Sequence, residues 1–326
     1  MQKKLLEVGY SGRVEDLFAI LKYRENIYSV YTGAPMDILS GSGRPQYLSA
    51  LEDIVVHSKI CHENGVRFNL VLNSPMPVNV VDQAKEIVGK LSPYKSYIDF
   101  VTITNPYLIE CFSNAGYPVI ASTFCDVNSV GSLRWYAENR VKGVVLSNAV
   151  SRNLELLKGI REAYPDMDMI LLADESCAIP CALRQSHAFA SGVGDQGFLK
   201  YLSKQCPINP EVPGKYINEK FSPVNLLKSS IIPPQNIAYY RDLGFKLKLV
   251  TRAYELKNAI STVDAYTGKD WQGNFFQLSH NEDKWCLHTE DMQELFQRWL
   301  TCNYGCVKCS MCDEFISKNI VALSSL

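Results

Sequence analysis

The feature that most constrains the fold of this chain is a repeated alternation of short apolar segments with helical patterns. Eight segments have the length and the apolar content of buried β-strands, and segments with apolar residues at helical spacing lie between them. Short apolar strands that alternate with helices are typical of parallel sheets. The eight predicted strands cover residues 5–10, 27–33, 66–73, 97–104, 118–123, 143–147, 167–173 and 245–252.

The number and spacing of these units predict an α/β fold, a (β/α)8 barrel of the TIM type. Such a barrel takes about 250 residues, and the eight units end near residue 268 of this 326-residue chain. We therefore predict a barrel over residues 1–268, with a cysteine-bearing insertion at 175–228 after strand seven and a short Cys-rich C-terminal appendage over 269–326. The alternative is a doubly wound parallel sheet with a second domain.

Composition and charge narrow the class of protein. Hydrophobic residues make up 47% of the chain and charged residues 21%, which is typical of a globular protein with a full core. The formal net charge of -1 gives no clear nucleic-acid signature. Because no segment approaches the roughly 20 apolar residues of a membrane span, and none resembles a signal peptide, we expect a cytoplasmic protein. In that reducing compartment, eleven cysteines indicate metal ligands or reactive thiols, and not disulfides.

The most informative local segment follows the seventh predicted strand. Asp174 and Glu175 stand at its carboxyl end, the end of a barrel strand at which catalysis takes place. Cys177 and Cys181 follow with C-x3-C spacing, and Cys206 closes the segment. Thiolates are ligands for soft metals, so these three cysteines are predicted to form part of a metal site.

Basic side chains near these cysteines have two interpretations. Arg184 and His187 lie three residues apart and would share one helical face. They are predicted either to neighbour the metal site and clamp an anion, or to form a structural salt bridge with Asp174 or Glu175. Arg252 stands at the carboxyl end of the eighth predicted strand, where a barrel places its chemistry.

A second group of thiols lies near the end of the chain. Cys302, Cys306, Cys309 and Cys312 have the spacing C-x3-C-x2-C-x2-C. Zinc sites usually take two cysteine pairs that a longer loop separates. Closely chained cysteines with two-residue gaps are typical of iron–sulfur proteins. The tail therefore predicts an iron–sulfur cluster, with zinc as the weaker alternative.

The two groups together hold seven cysteines, one fewer than two four-thiolate clusters require. Either a single 4Fe–4S cluster draws on both groups, or there are two clusters and one of them has an open site. The missing ligand of the first group is predicted to be a tail cysteine, Cys125, Cys286 or a non-protein group.

Several stretches also occur in the order found in a known family. They are NLVLN (69–73), the Ser–Thr pair at 122–123, VVLSNAVSRNLELL (144–157), ADESCAIPC (173–181), SSIIPPQNIAYYRDLGFKLKLVTR (229–252) and AYTG (265–268). Together they resemble the collagenase-like peptidase family of unassigned catalytic type. The resemblance implies a barrel with a 4Fe–4S cluster at its C-terminal mouth, ligand roles for Cys177, Cys181 and Cys206, and a mouth role for Arg252. It also implies oxygen-independent hydroxylation, because the family includes proteins of ubiquinone and RNA hydroxylation.

Three functions follow as hypotheses. The first is an iron–sulfur barrel enzyme that carries out a redox or hydroxylation-type modification of a small polar or aromatic substrate or a nucleobase. In it, Glu175 or Asp174 would handle protons, and Arg252 and Arg184 would hold an anionic group. The second is a peptidase that acts on a peptide or precursor. The third is a non-catalytic iron–sulfur subunit that pairs with a second barrel protein of the same family.

Overall fold

The structure is a computed structural model of the 326-residue chain. It describes residues 4–35, 38, 48–74, 79–179, 181–206, 211–212, 216–217, 222–268 and 271–323.

Eight parallel strands form a closed barrel, so the prediction of a (β/α)8 fold is confirmed and the doubly wound sheet is excluded. Each strand pairs with the next one along the chain, and the last strand closes the ring by pairing with the first, Leu247 opposite Leu6. The strands are β1 (Leu6–Gly9), β2 (Ile27–Gly33), β3 (Arg67–Leu72), β4 (Phe100–Ile103), β5 (Val119–Ala121), β6 (Gly143–Val145), β7 (Asp168–Leu172) and β8 (Lys246–Leu249).

Helices cover the outside of the barrel and build the segments that follow it. Six of them alternate with the first seven strands, four lie between β7 and β8, and one closes the barrel. They are α1 (Val14–Leu21), α2 (Asp53–Glu63), α3 (Val80–Leu91), α4 (Pro106–Asn114), α5 (Val130–Glu138), α6 (Leu154–Ala163), α7 (Arg184–Val193), α8 (Gln196–Gln205), α9 (Val224–Leu227), α10 (Ile237–Asp242), α11 (Leu256–Thr267), α12 (Gln293–Trp299) and α13 (Met311–Asn319).

Side chains alternate along each strand between the helices outside and the barrel interior. The outward apolar residues join one large core with the helices. The interior is divided: a smaller apolar cluster fills one part of it, with Phe100, Ile120, Val145, Ile170 and Leu172 as its buried members.

The other part of the interior is a buried polar network. Lys248 on β8 forms an ion pair with Glu7 on β1, and its ammonium lies 3.6 Å from the ring centroid of Tyr31. Glu7 also accepts hydrogen bonds from the hydroxyl of Ser29 at 2.9 Å and from the amide of Asn69 at 3.2 Å. Since buried charges need partners, this network makes a charged pair tolerable inside the barrel.

The appendage packs on the barrel. Phe275, Phe296 and Trp299 are buried in the same core as the barrel helices. Trp285–Cys286 and Val321–Ala322 form a short antiparallel pair within the appendage, and Glu211–Val212 and Tyr216–Ile217 form another within the insertion. The predicted domain boundary at residue 268 stays a prediction. Among the described helices, none combines the length and the apolar content needed to cross a membrane.

Glu7→Gln is expected to destabilise the barrel by about 3 kcal/mol, because it leaves the Lys248 ammonium buried without its counter-charge. Burial lowers the pKa of Lys248, and the charge and hydrogen bond of the Glu7 carboxylate oppose that shift. The measurement is equilibrium unfolding in urea. The matched control is Glu138→Gln, which breaks an exposed pair with Arg134 at 2.8 Å and is expected to cost less than about 1 kcal/mol. Equal losses in the two variants would show that the buried pair has no special role.

Candidate functional site

Two adjoining cavities open at the carboxyl ends of the barrel strands. We call them the inner chamber, of about 50 Å³, and the outer chamber, of about 80 Å³. Asn73, Phe124, Glu175 and Arg252 line both, so the two cavities meet at these side chains.

The inner chamber has a polar floor and partly apolar walls. Lys248, Tyr31 and Thr102 line it from inside the barrel, and Val145 and Leu172 add apolar surface. The ammonium of Lys248 therefore belongs both to the barrel network and to the chamber. This surface suits a small polar group that enters between the strand ends.

The outer chamber brings together the three cysteines of the insertion. Cys177, Cys181 and Cys206 all line it, although Cys181 and Cys206 are 25 residues apart. The helical hairpin of α7 and α8 explains this convergence, because Cys181 lies just before α7 and Cys206 just after α8. Gly194 turns the chain between the helices with a φ of 71°, a backbone region that favours glycine.

The thiols of Cys177 and Cys181 are in contact. Cys177 donates a hydrogen bond to the sulfur of Cys181, and the backbone N–H groups of Leu183 and Arg184 interact with the same sulfur. These interactions lower the pKa of Cys181 to about 6. Cys177 keeps its proton in that hydrogen bond, which together with burial raises its pKa. The pair therefore supplies one thiolate at neutral pH even without a metal.

Arg184 forms the salt bridge with Glu175 that the sequence left open. Its Nη2 lies 3.2 Å from Glu175 Oε2, and the guanidinium also donates to the hydroxyl and the carbonyl of Thr123 at 3.0 and 3.3 Å. Glu175 lines both chambers and Arg184 lines the outer one, so the ion pair lies at the rim of the outer chamber. His187, one turn further along α7, lines the outer chamber from a solvent-exposed position.

Asp174 and Arg252 differ in their relation to the cavities. Asp174 is fully buried and lines neither chamber; its Oδ1 accepts the backbone N–H of Val250 at 2.6 Å, which ties the end of β7 to the end of β8. Its proton-handling role stays a prediction. Arg252 is buried and lines both chambers. A Cβ at Gly9 would lie 2.8 Å from the backbone nitrogen of Arg252, so the close approach of β1 requires glycine there.

The remaining cysteines lie outside the mouth. None of the four tail cysteines lines either chamber, and neither does Cys125 or Cys286. The Cys125 thiol lies 3.4 Å from the carbonyl oxygen of Thr104, and Cys286 lies 3.6 Å from His288. Across the described residues, no three His, Cys, Asp or Glu side chains are arranged to hold a single metal ion.

Sequence analysis did not single out Lys248, Tyr31 or Thr102. A signal for Lys248 was available, because a lysine interrupts the apolar strand FKLKLV and a glutamate interrupts LLEVG on β1. Charged residues within two otherwise buried strands indicate an internal ion pair. Tyr31 and Thr102 carry no comparable signal.

Residues 12–170 match the family model described as peptidase family U32. The matched residues make up just under half of the chain, which is therefore similar to peptidase family U32, the collagenase-like family. A curated relative from Methanocaldococcus jannaschii, named as an uncharacterized protease, is 23% identical over 315 residues, which are 91% of this chain and 90% of that protein. The solved structure of the U32 peptidase Mk0906 matches with a TM-score of 0.51 and 11% identity, over 76% of this chain and 92% of that chain. At this identity, the structural likeness shows a shared fold.

The family match leaves the thiols of this protein unassigned. It ends at residue 170, before the first cysteine of the outer chamber. The ligand roles of these cysteines therefore stay predictions, supported by their common place in one cavity.

In the metal-free protein, Cys181 is expected to react first with iodoacetamide, because the thiolate is the attacking species. Its labelling rate should rise with pH around a midpoint near 6. Cys111, whose pKa is raised by burial, should label slowly at the same pH. Peptide mass spectrometry after timed labelling measures both. In Cys177→Ala the midpoint should move upward, and an unchanged midpoint would show that the thiol–thiol hydrogen bond is not its cause.

Proposed function

We propose that this protein is an enzyme of the barrel mouth in which Cys177, Cys181 and Cys206 hold an iron–sulfur cluster. The observation that carries the proposal is that three thiols, from both ends of a helical hairpin, line one cavity. A packing role would not require three cysteines to meet at a solvent-accessible chamber. Soft thiolate ligands select iron–sulfur clusters or zinc, so the donor set fits.

Three protein ligands leave one position of such a centre for a substrate or another group. Closed structural centres usually have four protein ligands. A cluster with an open iron supplies a Lewis acid or electrons at the wall of the outer chamber. The finding that no three side chains suit a single ion concerns a mononuclear site. In a cluster each cysteine binds a different iron, so its sulfurs stand further apart.

The charged residues of the rim have separable roles in this proposal. Arg252 lines both chambers and holds a negatively charged group of the substrate at their junction. Glu175 Oε2 accepts a hydrogen bond from Arg184, and the other carboxylate oxygen of Glu175 takes or returns a proton. The polar floor with Lys248 and Thr102 accepts a small polar part of the substrate. These features support a redox or hydroxylation-type modification of a small polar or aromatic molecule or a nucleobase.

The test is metal content. Cys177→Ala, Cys181→Ala and Cys206→Ala, each purified without oxygen, are expected to lose the iron and sulfide that the unaltered protein carries at the mouth. Iron and sulfide assays with a visible spectrum measure this. Cys111→Ala, which removes a thiol on α4, is the matched control and should keep its iron. Full iron and sulfide content in all three mouth variants would rule out this placement.

A peptidase is the second candidate, and the names of the matched family and of the curated relative favour it. The matched family is described as a peptidase family, and the curated relative is named as a protease. The geometry offers a nucleophile in Cys181, whose sulfur receives two backbone N–H groups just before α7, with His187 on the same wall. In this reaction the thiolate of Cys181 attacks a peptide carbonyl, and His187 gives a proton to the leaving amine. Water then hydrolyses the thioester, which releases the acid half of the peptide and restores the thiol.

Peptide cleavage by metal-free protein separates the two candidates. A peptidase that uses Cys181 is expected to cleave gelatin after chelation and in air, and to lose activity in Cys181→Ser while Cys206→Ala stays active. Mass spectrometry of the released peptides measures cleavage. If the metal-free protein is inactive and both variants behave alike, peptide hydrolysis by this thiol is contradicted.

A further inference from the structure

The tail cysteines surround a buried cation that the mouth site does not use. Arg152 follows β6 and is only 2% exposed. The tail reaches it through two contacts: Thr301 bridges Asn153, and the hydroxyl of Tyr304 lies 3.0 Å from that of Ser151. The chain thus brings a loop of four thiols to a charge inside the protein.

The guanidinium of Arg152 lacks a counter-charge within the described residues. Nη1 and Nη2 donate to the carbonyls of Leu227 and Ile231 at 2.8 and 3.3 Å, and Nε has no hydrogen-bond partner. Its central carbon lies 3.6 Å from the ring centroid of Trp299. No carboxylate of the described ranges forms a salt bridge with it, although a buried charge normally needs one.

Cysteine thiols are among the groups that interact with this cation. Arg152 interacts electrostatically with the thiols of Cys306 and Cys312. Cys312 also interacts with Cys302 and Cys306, and Cys306 with Cys309, so the four thiols form one connected group. Thiolates would supply the negative charge that the guanidinium lacks.

N–H groups interact with two of these sulfurs. The backbone N–H of Tyr304 donates to Cys302 Sγ at 3.4 Å. The buried indole N–H of Trp299 has no well-formed hydrogen bond, and the thiol of Cys312 is the group with which it interacts. Hydrogen bonds to cysteine sulfurs are a regular part of iron–sulfur sites, where they tune the reduction potential.

We infer that Cys302, Cys306, Cys309 and Cys312 bind an iron–sulfur cluster of their own, whose negative charge is balanced by Arg152. This centre is separate from the mouth, because none of its cysteines lines either chamber. Its spacing, C-x3-C-x2-C-x2-C, is that of a cluster and not of two separated zinc pairs. Four protein ligands close the centre, so its role is structural or electron transfer.

Metal content of two multiple variants tests the inference independently of the proposed function. The full chain, purified without oxygen, is compared with Cys302→Ala/Cys306→Ala/Cys312→Ala and with Cys177→Ala/Cys181→Ala/Cys206→Ala. We expect the tail variant to lose iron and sulfide in equal amounts, whatever the mouth variant does. If the mouth variant keeps all its iron, the proposed function fails and the tail centre stands. If the tail variant keeps all its iron, or loses zinc instead, the tail inference is overturned.

A single substitution at an exposed cysteine tests the same centre in case the triple tail variant does not fold. Cys309 is exposed, so Cys309→Ser leaves the core packing intact. It is expected to lower the iron and sulfide bound by the tail. Cys286→Ser, which alters another cysteine of the appendage, is the control and should keep them. Equal contents in the two variants contradict a ligand role for Cys309 and the four-thiolate centre with it.

The reduction potential of the tail cluster tests whether the indole N–H of Trp299 interacts with a ligand sulfur. A Trp299 that served only in packing would not affect this potential. Trp299→Phe keeps an aromatic ring under Arg152 but removes the indole N–H. The reduction potential of the tail cluster is expected to fall while its iron content stays, because N–H groups stabilise the more negative, reduced cluster. Trp285→Phe, elsewhere in the appendage, should leave the potential unchanged. An unchanged potential in Trp299→Phe overturns the placement of the cluster beside this indole.

Discussion

The ion pair of Glu7 and Lys248 connects the closure of the barrel with its functional end. It joins β1 to β8 through two residues that are 241 positions apart, and both side chains are buried. The pair is tolerable only because Ser29 and Asn69 satisfy the carboxylate, and Thr102 in turn donates to Asn69 at 3.0 Å. The same lysine forms the floor of the inner chamber. Fold stability and the polarity of the site therefore depend on one interaction.

Hydrogen bonds and an ion pair at the strand ends fix the position of the mouth. Asp174 ties β7 to β8 through the backbone of Val250. The next residue, Glu175, forms a salt bridge with Arg184, and Arg184 also donates a hydrogen bond to Thr123 after β5. Three strand ends are thus linked through three charged side chains. Both members of the Arg184–Glu175 pair are largely buried, so their charges are screened less than those of a surface pair.

The sequence predicts the strands of the barrel better than the contacts of the candidate site. All eight strands were predicted, because buried parallel strands have continuous apolar sequences. The predicted strand 97–104 is longer than the observed strand Phe100–Ile103, because its apolar segment extends beyond the residues that form hydrogen bonds with neighbouring strands. The cysteines could be identified by their spacing alone. Their meeting in one chamber depends on the α7–α8 hairpin, and the Glu7–Lys248 pair depends on barrel closure. Neither contact is encoded by residues that are close in the sequence.

Charge balance distinguishes the two groups of thiols. At the mouth, Arg184 has its carboxylate in Glu175, and the thiols face a chamber that a substrate can enter. At the tail, Arg152 is more deeply buried, and within the described part of the chain it interacts with the thiols of Cys306 and Cys312 but forms no salt bridge with a carboxylate. An enclosed cation favours a permanently negative partner, because a neutral thiol would leave the desolvated charge uncompensated. The tail is therefore suited to a lasting centre, and the mouth to one whose ligands change during a reaction.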